Sequence, residues 1–276
     1  MLFATVMTLA GLYLILCLLV YLFQDRLIFL PERTLSVTPD QQELAYEDVR
    51  IAVTPVETIH AWYFPTPAAS DTRVTVLICH GNAGNNSHRL GTASLFLDLG
   101  CNVLLFDYRG YGLSDGRPSE ANTSADARAA WDWLVEEKKA RPGEIAIFGR
   151  SLGGAVAVEL AGYVECRALI LESTFTSVAD MAGRLYPFLP VRCLLRTRFD
   201  SASRIGSLTC PILMAHSPSD EVVPYELGRR LFEAAGSKAR FFDLTGGHNE
   251  LKSLNNELYR KALRDFIHSG PKDPTI

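Results

Sequence analysis

The stretch Gly149-Arg150-Ser151-Leu152-Gly153 joins two segments of different character. The apolar run before it, residues 144–148, is typical of a buried strand, and the small apolar residues after it, 154–161, are typical of a helix. Glycines two positions before and after the serine remove the side chains that would collide where the chain reverses. A serine on such a turn has a strained backbone and an exposed hydroxyl, which suits a nucleophile. The alternative is a turn serine that only caps the helix, since serine is a favoured N-cap residue.

Working outward from this turn, apolar or alternating runs recur along the chain with helix-length segments between most of them. The predicted strands are residues 47–53, 58–64, 74–79, 102–106, 145–148, 168–171, 211–215 and 239–243. Helices are predicted over 225–235 and 250–267. Continuous apolar runs that alternate with helices indicate a parallel sheet buried on both faces, and the first two strands predict an antiparallel opening. The sequence therefore predicts a single α/β domain with a mostly parallel eight-stranded sheet and helices on both faces.

Composition and charge narrow the possible functions. Of the 276 residues, 48 % are hydrophobic and 21 % are charged, and the formal net charge is −4. This charge, with no basic run, argues against a nucleic-acid binder. The six cysteines form no C-x-x-C pair and no cluster with histidine, so no metal site is predicted.

The N-terminus differs from the rest of the chain because residues 2–23 contain no charged side chain. About 20 apolar residues suffice for a helix to span a bilayer. A cleaved signal peptide is disfavoured, because no basic residue precedes the run and no small-x-small site closes it. We therefore predict a single-pass membrane anchor over residues 1–24 and a linker over 25–45. Arg26 and Arg33 follow the span, so the positive-inside rule places the domain in the cytoplasm.

A nucleophilic serine needs a base, and the base needs an orienting acid. For a serine on a strand-to-helix turn, the acid and then the histidine follow it in sequence. Asp220 comes shortly after one predicted strand and His248 shortly after the last, so both are expected on the same rim of the sheet as Ser151.

Other acids and histidines in the chain fit these roles less well. Asp107 precedes Ser151, in the wrong order, and is expected to hold its own loop instead. Glu221 adjoins Asp220 and could replace it in principle. His216 lies too close in sequence to Asp220 to be its obvious partner, and His60, His88 and His268 are expected to be structural.

The third requirement is an oxyanion hole. The loop His80-Gly81-Asn82-Ala83-Gly84-Asn85 follows the strand that ends at Cys79. We predict that the backbone N–H groups of Asn82 and Leu152 are the two donors. A phosphate-binding turn is the alternative, but the loop lacks the Gly-Lys-Ser/Thr ending of a P-loop.

Together these motifs resemble the α/β-hydrolase superfamily, with a domain from about residue 46 to 270. Asp-Tyr-Arg-Gly-Tyr-Gly at 107–112 and Glu-Ser-Thr-Phe at 172–175, with the two Gly-rich motifs above, resemble the membrane-anchored serine hydrolases. That group includes eukaryotic protein depalmitoylases and bacterial serine aminopeptidase-like enzymes. The resemblance implies a Ser151–Asp220–His248 triad and no cofactor. The acid loop commonly begins His-Gly in such proteins, whereas here it begins His216-Ser217.

Residues 175–207 are more than the sheet requires and occupy the place of a cap. Their aromatic and leucine side chains, beside a membrane anchor, favour substrates with an acyl chain, such as an ester or thioester of a small molecule or lipid. An ordinary helical insertion is the alternative. A serine peptidase of aminopeptidase type and a catalytically silent membrane-tethered interaction module are the other functions considered. The sequence names no protein partner.

Overall fold

The computed structural model describes residues 1–66, 73–249 and 256–269. Ten strands lie in these ranges: β1 (Leu30–Pro31), β2 (Glu47–Ala52), β3 (Thr58–Phe64), β4 (Thr75–Cys79), β5 (Ala83–Gly84), β6 (Asn102–Phe106), β7 (Ile145–Arg150), β8 (Ala168–Glu172), β9 (Ile212–His216) and β10 (Ala239–Asp243). Eight of them form one sheet in the order β10-β9-β8-β7-β4-β6-β3-β2. β2 and β3 pair antiparallel, β3 also pairs antiparallel with β6, and the other neighbours are parallel. The predicted mostly parallel sheet with an antiparallel opening is confirmed.

The described residues also form nine α-helices, which cover the sheet and build its appendages. They are α1 (Leu2–Ile28), α2 (Leu90–Asp98), α3 (Glu120–Glu136), α4 (Leu152–Ala161), α5 (Val178–Leu185), α6 (Val191–Leu194), α7 (Ser201–Ile205), α8 (Tyr225–Ala235) and α9 (Glu257–Ser269). Helices α3, α4 and α8 contribute to the core on one face of the sheet, and α2 and α9 to the core on the other. The prediction of helices on both faces is confirmed.

Strand β4 shows why the central strands read as continuous apolar runs. Its side chains alternate between the two faces, so that Leu77 and Cys79 join one core while Val76 and Ile78 join the other. Both faces are covered by helices, and every side chain of the strand is therefore buried. An apolar residue is favoured at each position.

Helix α1 runs four residues past the predicted end of the anchor at residue 24. It is long and apolar enough to cross a membrane, and only Cys17 and Gln24 are buried along it. The predicted linker after α1 is packed against the domain. Phe29 is buried and packs edge-on against Phe199 of the cap, with ring centroids 6.2 Å apart, and β1 pairs with β5.

The ends of several other elements differ from the prediction. The last helix was predicted over 250–267, and residues 250–255 lie outside the described residues, while α9 continues to Ser269. β7 extends two residues further than predicted, to Arg150. The cap between β8 and β9 consists of the short helices α5, α6 and α7.

Candidate active site

Ser151 lies between β7 and α4 with φ 53° and ψ −122°. A positive φ is strained for a residue with a Cβ, and the surroundings hold it there. The Ser151 N–H donates to the Glu172 carbonyl (3.0 Å), and its own carbonyl accepts from the Thr174 hydroxyl (2.8 Å).

The flanking glycines permit this turn to pack closely. A Cβ on Gly153 would overlap the backbone carbonyl of Cys79, and a Cβ on Gly149 would overlap the carbonyl of Gly153. Helix α4 therefore begins in direct backbone contact with the end of β4. The glycine spacing in the sequence reflects this contact.

Asp220 and His248 lie on loops after β9 and β10, at the carboxyl ends of those strands. The Asp220 Oδ2 to His248 Nδ1 distance is 2.7 Å. Because Nδ1 is used in this bond, Nε2 is the ring nitrogen of His248 that can act toward a substrate or a nucleophile. Both side chains are nearly buried. The pair has the geometry of a carboxylate that orients an imidazole.

Asp220 receives more hydrogen bonds than this one. Its Oδ1 accepts from the N–H groups of Val222 (2.9 Å) and Val223 (2.8 Å), and His216 Nε2 lies 3.3 Å from Oδ2. Burial alone would raise the pKa of Asp220. Hydrogen bonds from His216, His248 and the Val223 N–H outweigh that effect and hold its pKa well below the usual range. The carboxylate is therefore ionised at neutral pH.

The backbone of His248 is fixed at both ends by side chains that the sequence did not single out for this. Its N–H donates to Glu221 Oε2 (2.8 Å), and its carbonyl accepts from the Arg150 guanidinium. Arg150 Nε in turn lies 3.4 Å from Glu172 Oε1. Glu221 thus holds the histidine loop rather than replacing Asp220.

A buried tyrosine completes this chain of contacts. The hydroxyl of Tyr259, on α9, donates to Glu172 Oε2 (3.0 Å). Burial and the neighbouring Glu172 raise the pKa of Tyr259 well above its usual value, so the phenol stays a donor. The residue before the candidate nucleophile is thereby linked to the last described helix.

Ser151 and His248 are connected through Arg150 and not by a direct hydrogen bond. Arg150 precedes the serine and bonds the histidine carbonyl, and both candidate residues are less than a tenth exposed. In the described ranges no hydrogen bond joins the Ser151 hydroxyl to the His248 ring. Such bonds are often long in the unliganded state and tighten when substrate binds.

The loop after β4 lies directly beside Ser151. A Cβ built on Gly81 would be 3.6 Å from the Ser151 Cβ. The Asn82 carbonyl accepts from the Leu30 N–H (2.9 Å) and the Tyr111 hydroxyl (2.7 Å), and its side-chain amide donates to the Ile28 carbonyl (3.0 Å). None of these bonds uses the Asn82 N–H. The N–H of Leu152 lies in the first turn of α4, where amides have no acceptor within the helix.

Asp107 takes a supporting role on the far side of this loop. Its buried carboxylate accepts from the Asn86 N–H (2.9 Å) and faces His80 Nε2 at 3.5 Å and His60 Nδ1 at 4.0 Å. Burial alone would raise the pKa of Asp107, but its bonds to His60, His80 and Asn86 lower it overall. The carboxylate therefore holds the segment after Asn82, whereas the sequence suggested only its own loop.

The structure corrects one further expectation from the sequence. His216 was judged an unlikely partner for Asp220 because only four positions separate them, yet it contacts that carboxylate and also Val223 O (3.0 Å). The loop 217–223 curls back over the ring, which sequence spacing cannot reveal. No group of three or more His, Cys, Asp or Glu side chains within the described ranges could hold a metal ion.

Comparisons with known proteins agree with this architecture. A family model described as the alpha/beta hydrolase fold matches residues 74–192. An uncharacterised protein of Mycobacterium tuberculosis is 41 % identical over 245 residues, which cover 88 % of this chain and 87 % of that protein. The alpha/beta hydrolase domain-containing protein WAV2 of Arabidopsis thaliana is 32 % identical over 273 residues, covering 89 % of this chain and 87 % of WAV2.

A solved structure gives the same likeness at the level of the fold. The Pyrococcus furiosus esterase Pf2001 superposes with a TM-score of 0.72, at 19 % identity, covering 87 % of this chain and 99 % of the esterase. At this identity the likeness shows a shared fold.

Proposed function

Since this chain belongs to the α/β-hydrolase family, we propose that it is a serine hydrolase that cleaves carboxylic esters or thioesters. The observation that supports this most is the backbone of Ser151, whose φ of 53° is maintained at a sharp strand-to-helix turn. The preceding residue, Arg150, bonds the carbonyl of His248, which is itself paired with Asp220. Backbone strain of this kind persists where the surrounding structure imposes it, and it is concentrated at functional sites.

In the proposed mechanism Ser151 attacks the acyl carbonyl while His248 Nε2 takes the hydroxyl proton. The Oγ–C bond forms, and His248 then gives that proton to the departing alkoxide or thiolate. In the second half, water attacks the acyl carbon while His248 takes its proton. The Oγ–C bond then breaks, the acid is released, and His248 returns the proton to Ser151 Oγ. Asp220 stays ionised throughout and stabilises the imidazolium.

The Asn82 and Leu152 N–H groups would stabilise the oxyanion that forms on the carbonyl oxygen. Loss of one such donor costs about 3 kcal/mol of transition-state stabilisation in enzymes of this kind. Asn82 is suited to the role because the bonds that Leu30, Tyr111 and Ile28 make with it fix its peptide.

For the substrate we propose an acyl chain. The cap carries large apolar side chains beside a helix long enough to span a membrane. Each chain methylene that leaves water contributes about 0.8 kcal/mol to binding. Apolar surface at this end of the molecule therefore favours longer acyl groups.

Turnover of p-nitrophenyl esters of graded chain length tests this function. We expect hydrolysis that increases with chain length and that falls at least ~1,000-fold in Ser151→Ala, since the nucleophile is lost while binding groups remain. Retained activity in Ser151→Ala would refute the role of the serine. Faster turnover of aminoacyl naphthylamides than of esters would instead identify a peptidase.

We also propose that α1 anchors the protein as a single span with the domain in the cytoplasm, from its apolar length and from Arg26 and Arg33 after it. A C-terminal tag should resist protease added to intact cells and become sensitive after permeabilisation. Cleavage in intact cells would reverse the orientation.

A further inference from the structure

The cap contacts α1 over an extended length, from Gln24 near the end of the helix back to Tyr13 in its middle. One face of α1 contains Tyr13 and the buried or half-buried residues Cys17, Val20 and Gln24. These residues are four, three and four positions apart. This is the spacing of a single helix face. Helix α6 of the cap packs against it, and the Tyr13 hydroxyl donates to the Phe188 carbonyl (2.8 Å).

The base of this contact is polar and closely bonded. Gln24 is 1 % exposed, and its side-chain oxygen accepts from the N–H groups of Arg196 (2.7 Å) and Thr197 (3.1 Å). Arg196 lies over the Tyr21 ring, 5.3 Å from its centroid, and 3.7 Å from Asp25. Tyrosine and arginine are typical of the level of lipid headgroups.

Near Tyr13, the cap side of this contact consists of exposed apolar side chains. Leu185, Tyr186 and Phe188 are 58 %, 49 % and 62 % exposed. From Tyr21 to Tyr13 the helix rises about 12 Å, less than the ~15 Å of hydrocarbon in one leaflet. A cap that reaches Tyr13 therefore lies at hydrocarbon depth wherever α1 spans the membrane.

Most backbone N–H groups of this tip are satisfied or absent, which matters in hydrocarbon because unpaired N–H groups are costly there. Pro187 and Pro190 have no N–H to satisfy. The N–H groups of Tyr186, Leu189 and Val191 donate to carbonyls nearby, at 2.8, 3.0 and 2.8 Å, whereas the Phe188 N–H makes no hydrogen bond among the described residues. The Phe188 carbonyl accepts the hydrogen bond from the Tyr13 hydroxyl.

We propose that the cap tip, defined as residues 185–190, is inserted into the hydrocarbon of one bilayer leaflet beside α1, and that the enzyme takes acyl substrates which are themselves held in that leaflet. This rests on the proposed function and on α1 as a span. The end of α1 that would lie among the headgroups is Ile28. Its carbonyl accepts a hydrogen bond from the side chain of Asn82, in the candidate oxyanion loop. The membrane surface and the reacting carbonyl thus lie close together.

Depth-dependent fluorescence quenching tests the insertion. The full chain with Phe188→Trp is reconstituted into vesicles of phosphatidylcholine and phosphatidylglycerol that carry acyl-brominated lipid, and the wild-type spectrum is subtracted to remove the native tryptophans. We expect quenching by brominated chains and shielding from aqueous iodide. Tyr163→Trp is the matched control, because this exposed aromatic follows α4 at the opposite rim and should show the reverse.

Quenching of both positions by iodide alone would overturn the proposal, as would failure of the full chain to enter vesicles. A second readout is Phe188→Ser. We expect its turnover of a vesicle-embedded acyl ester to fall about tenfold more than its turnover of soluble p-nitrophenyl acetate, since an aromatic ring leaves the hydrocarbon. Equal losses on both substrates would contradict insertion. If the wild-type protein did not hydrolyse soluble p-nitrophenyl acetate at all, the proposed function would be contradicted instead.

Discussion

Three different side chains hold His248: Asp220 at Nδ1, Glu221 at the backbone N–H and Arg150 at the backbone carbonyl. Only the first follows from sequence order, because a triad acid is expected between the serine and the histidine. The other two depend on how the loops after β9 and β10 fold against β7. Arg150 is paired in turn with Glu172, so that its side chain ties the nucleophile strand to the histidine loop.

Arg150→Met should lower kcat about tenfold with little change in KM, because the histidine loop loses its tie to the nucleophile strand. The variant should also lose about 3–5 kcal/mol of stability, since Glu172 is left as a buried charge without its cation. Steady-state kinetics on p-nitrophenyl butyrate and thermal unfolding in detergent measure the two effects.

A second variant separates positioning from simple destabilisation. Arg150→Met with Glu172→Gln removes both charges and should recover most of the stability while kcat stays low. Recovery of kcat in the double variant would mean that Arg150 only neutralises Glu172. Arg128→Met, which breaks an exposed pair with Asp132, is the control and should change stability by less than about 1 kcal/mol.

Asp220→Asn should change the pH dependence of stability as well as activity. The folded pKa of Asp220 is depressed, so the unfolded state binds more protons and the carboxylate stabilises the fold above the unfolded pKa of about 4. The difference in Tm between wild type and variant should be largest near neutral pH and shrink as pH falls below about 4. A difference that grows on acidification would contradict the ionised carboxylate.

Among the elements, α1 and the cap were the least predictable from sequence. The apolar run predicts the helix, but beyond residue 23 the sequence turns polar. Gln24 and Asp25 make bonds to residues 170 or more positions away in the cap, which the sequence does not reveal. Helix α6 has only four residues, too few for a periodic pattern. The strands were predicted within two residues of their ends. For the central strands the reason is burial on both faces, which makes them continuous apolar runs.

Gln24→Leu tests the joint between these two elements. Leucine leaves the N–H groups of Arg196 and Thr197 without their acceptor, and each buried unpaired donor costs about 1–3 kcal/mol. We expect Tm in detergent to fall by several degrees. Leu27→Ala, an exposed change at the same end of α1, should leave Tm nearly unchanged. Equal Tm values for both variants would show that the joint contributes nothing.

For the whole molecule, apolar periodicity was sufficient to predict the class of fold, since few arrangements bury a series of continuous apolar strands between two layers of helices. The order of acid and histidine was sufficient to nominate Asp220 and His248, because both follow strands of one parallel sheet. The second contact of Asp220, with His216, required the fold of the intervening loop. So did the link from Ile28 to Asn82, which joins the anchor to the candidate oxyanion loop.

The measurement that bears most directly on this account is covalent labelling of the full-length protein by a fluorophosphonate, followed by intact-mass and peptide mapping. Only a serine whose proton is taken by a positioned base reacts rapidly with such a reagent. We expect one adduct per chain, on Ser151, formed at least ~100-fold more slowly in His248→Gln. An adduct on another serine, or an undiminished rate in His248→Gln, would contradict the account.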